Sequence, residues 1–305
     1  MRKMALRAGI EIEAYNLSGR ELESILESEG CTMGGADDYG GFEYHAGRSP
    51  QSDGLNGAWC SKTHGLHFTV NSDGSLNNQV EATMTRKGAF ELITPILHGE
   101  KEFRMLARII KKMRKAGAYV KRDCGTHMNF GINHLARVKR MSDRSKTEIG
   151  TRIVEIYSHF QPVFDAISPN CRRSDSPDMA YRMSCQEAVP SNPFRGRCVV
   201  NMVNHSDFIM YGRVEFRQPG YTLEHEKMMG WLRLLNSVVS CAVNLDHPSY
   251  RKSLHGVPQT LQGFVDFLNP GVKAERWAHA RIGALYATFE NFQDERAAVL
   301  GLEGC

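Results

Sequence analysis

Residues 7–16, RAGIEIEAYN, alternate: Ile10, Ile12 and Ala14 fall on one side of an extended chain, and Glu11, Glu13 and Tyr15 on the other. That period of two predicts a β-strand with one apolar and one acidic face. The period changes at SGRELESILESEG, which predicts a short helix with Ser18 as N-cap and Gly30 at its stop. THGLHFTVNSDGSL and GAFELITPIL return to strand character. GEKEFRMLARIIKKMRKAGA then places Phe103, Leu106, Ile109, Ile110 and Met113 at helical spacing with basic residues opposite. AYVKRDCGTHMNFGIN predicts another extended stretch, and SKTEIGTRIVEIYSHFQPVFDAI a long helix disturbed at Pro162.

Toward the carboxyl end, RCVVNMVNHS and GRVEFRQPG predict a hairpin, LEHEKMMGWLRLLNSVVSCAVNL a buried helix, and VPQTLQGFVDFL to RIGALYATFENFQ a helical tail. Antiparallel-looking strands interleaved with long helices predict an α+β fold, a mostly antiparallel curved sheet with helices packed on one face. A single domain over 1–305 is expected. It would carry a glycine-rich lid or insertion at about 31–65, an arginine-rich loop at about 169–197 and a helical tail at 246–305. No internal repeat and no low-complexity tract occurs.

Composition narrows this picture little. With 305 residues, 41% hydrophobic and 24% charged, the chain is that of an ordinary soluble globular protein. A net charge of +4 suits anionic ligands without arguing for nucleic acid. No run of about 18 apolar residues occurs, and the start is too soon interrupted by glutamates for a signal peptide, so no membrane segment is expected. The eight cysteines show neither C-x-x-C nor zinc-finger spacing, which predicts reduced structural thiols and a cytoplasmic setting. Cys124 lies three residues from His127, so on a strand the two face opposite ways, and a nucleophilic pair is not expected.

The candidate chemistry lies on the polar faces of the strands. Glu11 and Glu13 share a face; so do His127 and Asn129 in CGTHMNF, and Glu215 and Arg217 in GRVEFR, while Glu91 opposes Phe90 and Leu92. Brought to one surface, so many carboxylates would raise each other's pKa unless a cation compensated them. A hard divalent ion such as Mg²⁺ meets that need, and a guanidinium fork beside it matches phosphate. Clustered carboxylates of this kind serve phosphoryl transfer and also metal-dependent hydrolysis of phosphate esters.

GIEIE, NSDGSL followed by FELITPILHG, CGTHMNF, and VNMVNHSDFIMYGRVEFR occur in the order and spacing of the amidoligase family, which this chain resembles from about residue 7 to 245. Those enzymes are carboxylate–amine ligases distantly related to glutamine synthetase and glutamate–cysteine ligase. The resemblance implies a glutamine-synthetase-like catalytic domain that uses ATP and Mg²⁺ or Mn²⁺ to join a carboxylate to an amine through an acyl phosphate. It implies metal ligation by Glu11, Glu13, Glu91, His127 and Glu215, with Glu215, Arg217 and His127 catalytic. Nucleotide or substrate contacts fall to Arg217, Asn129, Asp73 and Ser75. The chain departs from the family at Asn129, where a second histidine is common, and at Thr94–Pro95, which stands for Ser-Pro. The two long loops match no family motif and are expected to carry substrate identity, with Arg195 and Arg197 as contacts to ATP or an acidic substrate. The acid and amine could be an amino acid, a peptide or a modified nucleotide, and the oligomeric state is open. A metal-dependent phosphohydrolase or nuclease, and a non-catalytic nucleotide-binding relative, are the competing readings.

Overall fold

The computed structural model describes residues 6–33, 56–61, 66–72, 82–83, 85–132, 135–173, 200–201, 212–288 and 293–300. Helices and antiparallel strands share the chain, which is of the α+β class. Two compact units divide it. One comprises Arg7–His127 with Tyr221–His225; the other comprises Met1–Leu6, Met128–Gly220 and Glu226–Cys305. We call them the amino-terminal and carboxy-terminal units.

The amino-terminal unit holds β1 (Arg7–Leu17), α1 (Gly19–Glu27), β2 (Cys31–Met33), β3 (Asn56–Ser61), β4 (Leu66–Ser72), β5 (Gly88–Ile93), β6 (Leu97–His98) and α2 (Gly99–Lys115). Its strands pair antiparallel in the order β2-β3-β4-β5-β1, with β6 on the start of β1. The alternation works as expected: Ile10, Ile12 and Ala14 of β1, Phe90 and Leu92 of β5, and Phe68 and Val70 of β4 are wholly buried. Each large aliphatic side chain so buried contributes about 1.5–3 kcal/mol. The apolar stripes of α1 (Leu22, Leu26) and α2 (Phe103, Leu106, Ile109, Ile110, Met113) are buried as well.

Helix α1 begins at a capping box: the Ser18 side chain accepts from Glu21 N–H, and the Glu21 carboxylate accepts from Ser18 N–H at 2.9 Å. Two basic residues of α2 anchor it to the loop after α1, with Arg108 Nε 2.7 Å and Lys112 Nζ 2.6 Å from the Glu29 carboxylate. Strands β2 and β3 lie inside the segment 31–65 that composition marked as a lid or insertion. Thr32 pairs with Cys60, and Met33 with Trp59. The rest of that segment, and most of the 169–197 loop, fall outside the described residues.

The carboxy-terminal unit continues β7 (Thr126–Gly131) and adds α3 (Ala136–Lys139), α4 (Asp143–His159), α5 (Gln161–Ile167), β8 (Val200–Asn201), β9 (Arg213–Phe216), α6 (His225–Val243), α7 (Leu261–Leu268), α8 (Val272–Tyr286) and α9 (Gln293–Leu300). The predicted hairpin is present: β8 pairs with β9, which pairs with β7, all antiparallel. The long helix breaks at Phe160, and Pro162 sits in the first turn of α5, where its missing N–H costs nothing. The break lets Tyr157 stack on Phe164, with ring centroids 4.2 Å apart, and Phe164 stack on Trp231 at 6.0 Å. Gln218, fully buried just after β9, donates to Asp165 Oδ1 at 2.7 Å and accepts from Gln161 Nε2 at 3.0 Å and from the Tyr157 hydroxyl.

Helices α6 and α8 meet where a side chain would not fit. A Cβ on Gly230 would lie 2.0 Å from Cδ2 of Trp277. Gly230→Ala is expected to push the Trp277 ring aside and to cost about 1–3 kcal/mol, seen as a lowered thermal midpoint. An unchanged midpoint would mean that the two helices do not pack this closely.

Candidate metal centre

β1 and β5 set the first part of the geometry. Their register places Glu13 directly opposite Glu91, and Glu11 opposite Ile93. On the far side of β5, Glu91 is opposite Asn71 of β4. Like charges directly opposed across a ladder destabilise a sheet, so the Glu13–Glu91 pair calls for a positive group nearby. Thr94 holds the register in place. Its N–H donates to Ile10 C=O at 2.8 Å, and its hydroxyl accepts from Ile10 N–H at 2.8 Å. The hydroxyl kept in Thr94–Pro95 thus ties the end of β5 to β1 immediately before Glu11.

Gly125 and His127 complete the cluster. Gly125 C=O accepts from Glu13 N–H at 3.1 Å, and Gly125 N–H donates to Glu13 Oε2. His127 Nδ1 lies 3.1 Å from Glu11 Oε2, and His127 Nε2 lies 3.9 Å from Glu13 Oε1. The three side chains are mostly buried, 7% exposed for His127, 14% for Glu11 and 11% for Glu13. One donor atom each from Glu11, Glu91 and His127 falls within 4.8 Å of the others. Oxygen ligands lie about 2.0–2.6 Å from Mg²⁺ or Ca²⁺, so donors this close can reach a common ion. Two carboxylates and one imidazole suit Mg²⁺ or Mn²⁺, the imidazole shifting preference toward the softer metal. The donor set therefore fits a divalent cation, with Glu13 beside it, gripped by the backbone of Gly125.

Gly125 shapes the cluster by having no side chain. A Cβ there would sit 2.5 Å from His127 Nε2 and 3.1 Å from Glu13 Oε2. Its only signal in the sequence was its place in CGTHMNF, since the need for space comes from groups two residues on and over a hundred residues back. Cys124 is a packing residue, buried with Tyr15 and Ala89. Burial also pushes the Cys241 thiol up to about 11. Tyr15, on the same side of β1 as the two glutamates, donates its hydroxyl to Asp123 Oδ2 at 2.6 Å and stacks on Tyr119.

Asn129, Glu215 and Arg217 belong to the carboxy-terminal unit. There Asn129 of β7 is opposite Glu215 of β9, which is opposite Asn201 of β8. Arg217 Nη1 donates to Glu215 Oε1 at 3.0 Å, with the carboxylate 2% and the guanidinium side chain 28% exposed. A guanidinium held on one side by a buried acid keeps a fixed direction for its remaining N–H donors. Asp73, Ser75, Arg195 and Arg197 lie outside the described residues.

No helix among the described residues is long and apolar enough to cross a membrane. No curated protein matches the chain. The family model described as "Putative amidoligase enzyme" matches residues 4–239. That span includes every side chain of the Glu11, Glu91 and His127 cluster as well as Glu215 and Arg217, and by it this chain belongs to the amidoligase family.

Proposed function

We propose that this protein is an ATP-dependent carboxylate–amine ligase that requires Mg²⁺ or Mn²⁺. The observation that carries the proposal is the convergence of Glu11, Glu91 and His127 in a member of the amidoligase family. Those three residues would hold the ion, which when bound offsets the negative charge of nucleotide phosphates. Glu13, fastened by Gly125, would brace the cluster or add a ligand. Arg217, oriented by Glu215, would hold phosphate oxygens with its fork, and Glu215 would add a carboxylate to metal binding. Asn129, Asp73 and Ser75 would meet nucleotide or substrate, and Arg195 and Arg197 would attract ATP or the acidic partner.

In the proposed reaction a carboxylate oxygen of the acid substrate attacks the γ-phosphorus of ATP, and ADP leaves with the electrons of the broken P–O bond. The resulting acyl phosphate is attacked at carbon by the amine, which loses a proton as the amide forms and inorganic phosphate departs. The acid and amine are of amino-acid, peptide or modified-nucleotide type, and a cytoplasmic setting fits the expected reduced thiols.

The test incubates the full chain with ATP, Mg²⁺ or Mn²⁺, and pooled amino acids and peptides. Release of ADP and phosphate that depends on both metal and an amine is expected. In Arg217→Lys, which keeps the charge and loses the fork, that release should fall by about 100-fold. Cleavage of nucleic acid without ATP would replace the ligase with a metal-dependent hydrolase. Absence of metal-dependent ATP binding would leave a non-catalytic relative.

A further inference from the structure

One broad face of α4 and the segment after α6 enclose a groove of about 560 Å³ in the carboxy-terminal unit. That size is typical of a small-molecule or short-peptide site. Its walls carry three guanidinium groups, from Arg144, Arg152 and Arg251, against two carboxylates, Glu148 and Glu155, with Ile149 and Tyr250 among the less polar lining. The arginines are held in different ways. Arg152 is only 17% exposed; its Nη2 donates to Lys252 C=O at 2.6 Å, its Nη1 lies 3.7 Å from Glu155, and its guanidinium lies over the Phe267 ring. Arg251 has a φ of +62°, a left-handed conformation rare for a long side chain, and its guanidinium lies 5.2 Å from the centre of the Tyr250 ring. Arg144 is 90% exposed and within 3.3 Å of Glu148.

Strain at a residue that places a charged group at the rim of a concave site points to binding rather than to stability. We propose that this groove binds a short acidic peptide segment, its side-chain carboxylates meeting the exposed Arg144 and Arg251. Charge complementarity selects that class. The guanidinium groups come from separate positions on α4 and on the segment after α6, which suits single carboxylates spaced along a chain. Glu148 and Glu155, within the same walls, pair with Arg144 and Arg152, which leaves a small positive excess suited to a few carboxylates rather than to the dense charge of a polyphosphate. Binding of this kind needs neither ATP nor a divalent ion, so it stands or falls separately from the ligase reading.

The test is fluorescence anisotropy of a fluorescein-labelled tri-glutamate peptide with the full chain, in buffer free of nucleotide and metal. Saturable binding that weakens as salt is raised is expected. Arg144→Glu with Arg251→Glu should weaken it by at least roughly tenfold while the circular dichroism spectrum is unchanged. Arg144→Gln alone, which alters only an exposed side chain, should give a smaller loss in the same direction. No binding by the unaltered protein, or equal binding by the double variant, would overturn the proposal. Displacement of the peptide by a lower concentration of tripolyphosphate would overturn the peptide as occupant and make the groove a phosphate site.

Discussion

Glu11→Gln should cut metal- and ATP-dependent turnover by more than about 100-fold and leave the fold intact. Changes to groups that merely orient a metal ligand already cost about 10–100-fold in affinity or activity, and the proposed function makes Glu11 a ligand itself. The substitution keeps the shape of the side chain, and a glutamine oxygen can still accept from His127 Nδ1, which lies 3.1 Å from the carboxylate now. Only the charge goes. Removing a negative charge from a cluster that also contains Glu13 and Glu91 relieves repulsion when no ion is bound. The metal-free variant should therefore melt at the same temperature as the parent or above it, while Mn²⁺ stabilises it less. Calorimetric titration with Mn²⁺ and paired thermal melts separate the two effects. Turnover close to that of the parent would remove the metal centre from the mechanism.

Gly125→Ala should weaken Mn²⁺ binding by about 10–100-fold through displacement of His127 alone. The added methyl would lie 2.5 Å from His127 Nε2, and the buried ring has little room to give way. It would also press on Glu13 Oε2 at 3.1 Å and disturb the hydrogen bond that Gly125 N–H donates there. A stability loss of about 1–3 kcal/mol accompanies forced repacking of this sort. Gly131, at the end of β7, supplies the control: a Cβ there meets nothing within 4 Å, so Gly131→Ala should leave Mn²⁺ affinity unchanged. Equal affinity in Gly125→Ala and the parent would show that His127 is not a ligand.

Local pattern was a good guide wherever an element owes its form to its own residues. The Ser18 N-cap, the apolar stripe of α2 and the interruption at Pro162 were all legible, because each rests on contacts within a few positions of the chain. Strands β2 and β3 were hidden in the glycine-rich 31–65 segment. A strand's partner lies far away in sequence, and no short-range period announces Thr32 beside Cys60. Thr94 looked like a tolerated replacement for serine, and its bond to Ile10 N–H came into view only in the tertiary structure.

The amino-acid sequence alone determined which side chains could share a face. Alternation is a property of the extended backbone, so Glu11 and Glu13 had to point away from Ile10, Ile12 and Ala14 once the segment became a strand. Tertiary structure alone decided which faces met. Strand register set Glu13 against Glu91, chain reversal brought His127 to Glu11, and the bare Cα of Gly125 left room for both. Register and close approach are fixed by the packing of distant segments, and a shift of one residue would have sent each acid to the opposite side of the sheet.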